Sequence, residues 1–266
     1  MDLVVLIKQV PDPEKNAGMK EDGTLNREES QNIVNPYDMN ALEEALSMKD
    51  KYGGKVTVIS MGLPKAEQAL REALARGADE AILLTDRKLG ASDTLATAYA
   101  LSQAIKKLEK YDLVFCGMQA IDGDTAQVGP QVAERLDIPQ ITYAEKIEIK
   151  DKELIAKRIV EGGYEIIKSS YPALVTVTNT ANEPRLGTLL NIKKAHKKEI
   201  PHWDAAHIEA DEKKIGKEGS PTKVRKIEKP EQKGKGIMFE GKLEEIIPKF
   251  LEQIKTDKLI LKKGVA

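Results

Sequence analysis

The chain has 266 residues, with 42 Lys and Arg against 43 Asp and Glu and a formal charge of −1. That length holds one good core with a smaller appendage, and the charge balance argues against a general nucleic-acid grip or a global steering field. Aromatic residues make up 4 %, too few for an extended base-stacking platform, and Cys116 is the single cysteine, so the chain alone builds no disulfide and no cysteine-ligated metal or iron–sulfur centre.

The histidines, His196, His202 and His207, all lie in the polar C-terminal third, where surface positions are the ordinary expectation and a metal centre is not. The chain opens in an apolar strand pattern without signal-peptide character, and no apolar run is long enough to span a bilayer. Both features predict a cytoplasmic protein.

Leu3-Val4-Val5-Leu6-Ile7 is a continuous apolar run, the pattern of a strand buried on both faces. Lys8-Gln9-Val10-Pro11-Asp12-Pro13 stops it, and a hairpin-like excursion is expected around Asp22-Gly23. Asn35-Pro36-Tyr37-Asp38 predicts a helix start, with Asn35 as N-cap and Pro36 at the first helical position. Ala41, Leu42, Ala45, Leu46 and Met48 form its apolar face, and Gly53-Gly54 ends it.

Residues 56–60 read as a second strand running out into Met61-Gly62-Leu63-Pro64. A helix follows from about Lys65 to Arg76, closed by Gly77, and then a third strand at Ala81-Ile82-Leu83-Leu84, with Asp86-Arg87 after it. Ser92 or Asp93 caps the next helix, which runs through Tyr99 and Ile105.

Leu113-Val114-Phe115 reads as a fourth buried strand and Val132-Ala133-Glu134-Arg135-Leu136 as the body of a helix. The small, polar segment 116–130 lies between them. A strand, such a turn and a helix start make a natural phosphate site, because free backbone N–H groups and the positive helix end converge there. Gly123 and Gly129 are expected to let backbone approach an anion closely, and Thr125 and Gln127 to add side-chain hydrogen bonds. Local pattern alone leaves an ordinary capped loop as an equal reading.

Strands alternating with helices at this spacing predict a mostly parallel, doubly wound α/β sheet. In such sheets ligands bind at the carboxyl ends of strands where the strand order reverses. The polar segments around Lys8, Ser60-Met61-Gly62, Asp86-Arg87 and 116–129 all fall at those ends.

After Pro139, segments 141–150, 153–160, 165–170 and 173–178 are expected to extend the sheet as antiparallel strands. The turn Asn182-Glu183-Pro184-Arg185 leads into a basic segment, 189–198. Residues 213–235, rich in Lys, Gly and Pro, read as an extended arm. Residues 243–254 read as a short amphipathic helix of more use against a partner than in water.

Taken in order, these segments resemble the β (small) subunit of electron transfer flavoproteins over nearly the full length. The resemblance is carried by Lys8-Gln9-Val10-Pro11-Asp12, Asn35-Pro36-Tyr37-Asp38, Gly77-Ala78-Asp79-Glu80-Ala81, the segment 116–130, and Asn182-Glu183-Pro184-Arg185 with Thr188-Leu189-Leu190-Asn191-Ile192. It implies an adenine-nucleotide α-hydrolase/ETF-like α/β fold with an antiparallel extension. Residues 1–200 would form the nucleotide- or flavin-binding domain, with a recognition loop near 182–198. Residues 201–266 would form a C-terminal arm whose helix packs on an α subunit carrying one FAD.

In ordinary members of this family the β pocket holds AMP. In flavin-based electron-bifurcating members it holds a second FAD, which takes a hydride from NADH. One electron then goes to ferredoxin or flavodoxin. The other goes through the α-subunit FAD to a flavin-dependent dehydrogenase of acyl-CoA, enoyl-CoA or lactate type. Two features resemble the bifurcating group: Gly123 within Asp122-Gly123-Asp124-Thr125, where ordinary mitochondrial-type members tend to carry an acidic residue, and Asp86-Arg87 followed by the stretch 90–97. A capped helix without ligand is the other reading of that stretch.

The resemblance implies that Asp122, Gly123, Asp124, Thr125, Gln127 and Val128 form a phosphate and ribose cradle. Leu6, Asn35, Met61, Cys116, Gly117 and Gln119 would frame the adenine side, and Asp93, Thr94 and Thr97 would support the larger flavin. Lys8 would stabilise reduced flavin, or stand as a solvated strand-end lysine. Leu189 would anchor a partner dehydrogenase, with Lys193, Lys194, Lys197 and Lys198 as a basic rim, the alternative being a solvated helix face. Cys116 is expected to be a small buried residue and no nucleophile. No residue of the chain need act covalently, since the flavins do the redox chemistry. A stand-alone nucleotide-binding regulatory domain is a third reading, and it predicts a chain that folds stably without a partner.

Overall fold

The apolar runs become strands and the amphipathic segments helices in a computed structural model that describes residues 1–13, 32–150, 153–223 and 236–257. In chain order, β1 (Asp2–Ile7) leads to a short antiparallel pair, β2 (Gln9–Pro11) and β3 (Asn32–Val34). That pair frames the excursion around Asp22-Gly23, whose turn lies outside the described residues. Then come α1 (Pro36–Tyr52), β4 (Lys55–Met61), α2 (Glu67–Arg76), β5 (Glu80–Leu84), α3 (Thr94–Lys106), β6 (Leu113–Gly117) and α4 (Val128–Leu136). The rest of the first unit is β7 (Gln140–Lys150), β8 (Glu153–Val160), β9 (Gly163–Ser169), β10 (Ala173–Val177), α5 (Leu189–Lys197) and β11 (His202–Trp203). A final helix, α6, spans Leu243–Thr256.

Nine strands form one sheet in the order β11-β5-β4-β1-β6-β10-β7-β8-β9. Alternate side chains of the inner strands face opposite layers. Leu3, Val5 and Val58 pack with Leu42 and Leu46 of α1 and Leu70 of α2. Val4, Leu6 and Ile59 pack with Leu101 and Ile105 of α3 and Val132 of α4. The doubly wound sheet is therefore as expected. From β1 the chain builds toward β4 and β5 on one side, then crosses to β6 on the other, so the strand order reverses between β1 and β6.

Two expectations are corrected. Segment 173–178 was to be antiparallel, but β10 lies parallel between β6 and β7. All of its residues are buried, and a run buried on both faces belongs inside a parallel sheet. Only β7, β8 and β9 form an antiparallel meander.

The second correction concerns the boundary near residue 200. The first compact unit runs Met1–Lys223 and the second Val224–Ala266. β11 adds to the edge of β5 in parallel, and Ala205, Ile208 and Ile215 join the core on the α3 side. These apolar residues are dispersed among charges, which hides their common face in the sequence. The expected arm therefore begins after 223, and its stretch 224–235 lies outside the described residues.

The second unit contributes α6, with Leu243, Ile247, Phe250 and Leu251 exposed on it and Phe239 edge-on to Phe250. Among the described residues no helix is long and apolar enough to cross a membrane.

Candidate functional site

The site is built where β1 and β6 part. Their last register pair is Leu6 with Cys116. Beyond it, Lys8 N–H donates to Asp38 Oδ2 at 2.7 Å and Gly117 N–H donates to Asp38 Oδ1 at 2.9 Å. Asp38 is buried in the first turn of α1. Asn35 precedes that turn, but it does not cap the helix through its side chain as the sequence suggested. Its backbone carbonyl accepts from the amides of Asp38 (2.9 Å) and Met39 (3.2 Å). The side chain is thereby released to the loop after β6: Nδ2 donates to the Gln119 carbonyl at 2.8 Å and Oδ1 accepts from Ile121 N–H at 3.2 Å.

Glycine is required at two points, for packing. A Cβ on Gly117 would lie 2.6 Å from both Asp38 Oδ1 and Tyr37 Cβ. A Cβ on Gly129 would lie 2.7 Å from Thr176 Cγ2 and 2.8 Å from Cys116 Sγ. Gly129 thus lets α4 sit close on the sheet, a packing demand beyond the anion approach expected of it. Gly123 differs, since nothing lies within 4 Å of a Cβ placed there.

The loop 118–127 is held from several sides. Lys8 Nζ donates to both oxygens of Asp122 at 2.7 Å. Gln119 Nε2 donates to Asp124 Oδ1 at 2.6 Å, and Thr94 Oγ1 donates to Gln127 Oε1 at 2.8 Å, tying the start of α3 to the loop. Asp124 and Ala126 hold left-handed backbone, each at φ 53°, a conformation costing roughly 1 kcal/mol or more for such residues. The backbone amides of Thr125, Ala126, Gln127 and Val128 donate to no acceptor among the described residues, and α4 has no side-chain cap. These uncapped amides and the lysine are the donor set an anion needs. The Lys8–Asp122 pair is exposed, at 49 % and 31 %, so it is worth about 0–1 kcal/mol and yields readily to a competing anion.

The other expected ligands divide. Leu6 is buried at the end of β1, Met61 is half-buried at the end of β4, and Thr97 is half-buried on α3. Thr125 is exposed on the loop. Asp93 is engaged elsewhere: Oδ1 accepts from the amides of Leu95 (3.0 Å) and Ala96 (3.1 Å), and Oδ2 accepts from Thr222 N–H (3.0 Å) and Oγ1 (2.8 Å). Partial burial opposes its charge, but those bonds outweigh it and hold the carboxyl below the usual range. Cys116 is buried, and burial together with the nearby Asp38 pushes its thiol far up, so it is no nucleophile.

Asp38 was not singled out as a site residue, although the signal was there. It lies in the helical stripe of Ala41, Leu42 and Ala45, an acid among core positions. Burial pushes its carboxyl up to about 7, against the opposing pull of the Lys8 and Gly117 amides. A raised carboxyl stays protonated in the fold between about pH 4 and 7 while the unfolded chain has lost that proton, so its contribution to stability falls as pH rises through that window. The stability advantage of the native chain over Asp38→Asn is therefore expected to be about 2–3 kcal/mol larger at pH 5 than at pH 8. Urea unfolding at the two pH values checks this, and a difference of the opposite sign contradicts it.

A second surface surrounds α5. Leu189 is 87 % exposed and stands beside exposed Leu186 and Leu190, with Lys193, Lys194, Lys197 and Lys198 all exposed. The segment before it is anchored on α1. Arg185 forks on Glu43, Nε to Oε2 and Nη2 to Oε1 both at 2.9 Å, and reaches Asp50 at 2.8 Å. Asn182 and Asn40 exchange side-chain-to-carbonyl bonds at 3.0 and 2.8 Å. The guanidinium holds Glu43 below the carboxylate range in spite of its burial. Elsewhere, a cavity of about 790 Å³ opens at the amino ends of β1, β4 and β5, lined by Asp2, Lys55, Glu80 and Trp203 among others; Lys198 of the expected basic rim lines it, and none of the expected nucleotide-site residues does.

The electron transfer flavoprotein domain profile matches residues 22–208. The electron transfer flavoprotein subunit beta of Thermoanaerobacterium thermosaccharolyticum is 51 % identical over 261 residues, 98 % of this chain and 100 % of that one. The caffeyl-CoA reductase-Etf complex subunit CarD of Acetobacterium woodii is 46 % identical, covering 91 % of this chain and 92 % of its own. The acryloyl-CoA reductase electron transfer subunit gamma of Anaerotignum propionicum is 43 % identical, covering 95 % and 99 %. With a doubly wound sheet, an uncapped loop at its switch point and relatives matched from end to end, the chain belongs to the electron transfer flavoprotein β-subunit family.

Proposed function

We propose that the chain is the β subunit of a heterodimeric electron transfer flavoprotein of the electron-bifurcating type, with FAD held in the crevice between β1 and β6. The observation that carries this reading is the set of amides at 125–128 without acceptors, beside the Lys8–Asp122 pair. Lys8 would exchange Asp122 for a phosphate oxygen of the bound nucleotide, and the amides would take the remaining charge. Asp122 would then be free to accept from ribose hydroxyls, and Asp124, whose Oδ1 accepts from Gln119, would offer Oδ2. Asn35, bonded to the Gln119 carbonyl, would fix the backbone on the adenine side, and Thr94 and Thr97 would support the larger flavin. Bound FAD would supply hydride chemistry with NADH and single-electron chemistry toward ferredoxin or flavodoxin and toward an FAD on the α subunit. The chain's own work is to orient that group, exclude water, and place the Lys8 charge beside it.

The names of the two reductase-complex relatives support an acyl-CoA or enoyl-CoA dehydrogenase as the downstream acceptor, docked on Leu189 with the lysines as rim; a lactate-type enzyme is the less supported alternative. The apolar residues of α6 suit packing on the α subunit, and a cytoplasmic location accompanies these partners. A non-bifurcating subunit holding AMP is the second reading. One observation favours it, for Asp93 is turned to Thr222 and leaves the flavin side without a carboxylate ligand.

Gly123→Asp separates the two. With open space around that position the fold is expected to stay intact, with a thermal midpoint within about 2 °C of the native chain. A carboxylate placed beside a pyrophosphate is expected to cost at least about tenfold in affinity for a second FAD. Unchanged flavin content in the variant heterodimer removes Gly123 from the binding argument.

A further inference from the structure

We infer that Asp38 is a positioning residue whose carboxyl opens the crevice between β1 and β6 and sets both of its lips. This rests on the reading that a nucleotide occupies that crevice. The parallel ladder of β1 and β6 ends at Leu6 and Cys116. The next amides that could extend the contact, Lys8 N–H and Gly117 N–H, are both taken by one carboxyl arriving from α1, at 2.7 and 2.9 Å. Asp38 thus stands as a wedge between two strands that would otherwise continue side by side.

Each bond fixes one lip. Holding the Lys8 backbone places its ammonium within 2.7 Å of Asp122. Holding Gly117 fixes the point from which the loop 118–127 departs, and Asn35, at the head of the same helix, holds Gln119 and Ile121 of that loop. Gly117 has no room to move toward α1, because the Tyr37–Asp38 backbone and side chains already fill the place of a Cβ. The groups carrying or able to carry charge around Asp38 are the Lys8 ammonium and the Cys116 thiol. Neither replaces the carboxyl as acceptor for the two amides. Removing it leaves one buried and one part-buried donor without their partner, and the lips shift to find new ones.

The test uses the purified heterodimer with the α subunit at pH 8. FAD and AMP are counted after gel filtration, and dissociation constants are measured by equilibrium dialysis with added FAD and added AMP. Asp38→Asn, which keeps the shape and one acceptor, is expected to bind the nucleotide of the β crevice about tenfold more weakly, and Asp38→Ala about a hundredfold more weakly. Leu42→Ala is the control, since Leu42 is fully buried in the same helix but faces the core. It is expected to lower the thermal midpoint at least as far as Asp38→Asn while binding nucleotide within about threefold of the native protein.

Partial rescue by Asn relative to Ala, with Leu42→Ala intact, supports the inference. Binding by both Asp38 variants within threefold of native overturns it and leaves the nucleotide reading standing. Equal loss in Leu42→Ala overturns it as well, by making the effect one of general stability. A native heterodimer that holds no nucleotide beyond a single FAD, and binds neither one added, overturns the inference together with the reading beneath it.

Discussion

Gly117→Ala is expected to lower the thermal midpoint by about 6–12 °C, from roughly 3 kcal/mol of overpacking in a chain of this size, and to empty the β crevice of nucleotide. The added methyl would fall 2.6 Å from the Asp38 carboxylate and from Tyr37 Cβ, and 2.7 Å from the Tyr37 carbonyl carbon. Two of these neighbours are Tyr37 atoms in the first turn of α1, pinned by Pro36 and by the core residues behind it, so neither gives way cheaply. The third is the carboxyl that holds both lips. Relief of the clash must therefore move α1 away from β6 or break the Gly117–Asp38 bond, and either disturbs the loop. Differential scanning calorimetry of the purified protein checks the size. A midpoint within 2 °C of the native value, with nucleotide retained, contradicts the packing described at the switch point.

Leu189→Ala is expected to slow electron transfer to the partner dehydrogenase about 30-fold, the effect of losing roughly 2 kcal/mol at an interface anchor. The fold is expected to lose almost nothing, because the side chain is 87 % exposed among the described residues. Leu189 is presented rather than merely exposed. The Arg185 fork on Glu43 and the paired amides of Asn182 and Asn40 fix the segment before it, and Thr188 Oγ1 accepts from Asn191 N–H at 3.2 Å to start α5 at Leu189. Stopped-flow reduction by NADH and by a small-molecule donor serves as the control and is expected to be unchanged. Undiminished transfer to the dehydrogenase removes the docking assignment.

Continuity and alternation of apolar residues made most of the fold legible. Leu3-Val4-Val5-Leu6-Ile7 and Leu113-Val114-Phe115 announced inner strands, and the switch point followed from the alternation of strands with helices. The same rule, applied to Ala173-Leu174-Val175-Thr176-Val177, places β10 inside the parallel sheet; its neighbours in the chain, which alternate, drew it toward the meander instead. Residues 201–223 were opaque because Ala205, Ile208 and Ile215 fall at no regular period.

At the site, the segments were readable and the partners were not. Asp38 meets Gly117 and Asn35 meets Gln119 across some 80 positions of chain, and no local pattern records such pairings. Asn35 looked like a cap because residues of its type commonly cap helices, and Gly129 looked like an anion contact because glycine serves there too. In both cases the demand the sequence hid was tertiary: loop amides claimed the asparagine side chain, and the sheet surface claimed the space beside the glycine.

The central claim is tested most directly by co-expressing the chain with its α subunit, purifying the heterodimer and counting the nucleotides released on denaturation. The account predicts two FAD per heterodimer and no AMP. One FAD with one AMP would contradict it, returning the crevice at the switch point to a structural nucleotide and the chain to single-path electron transfer.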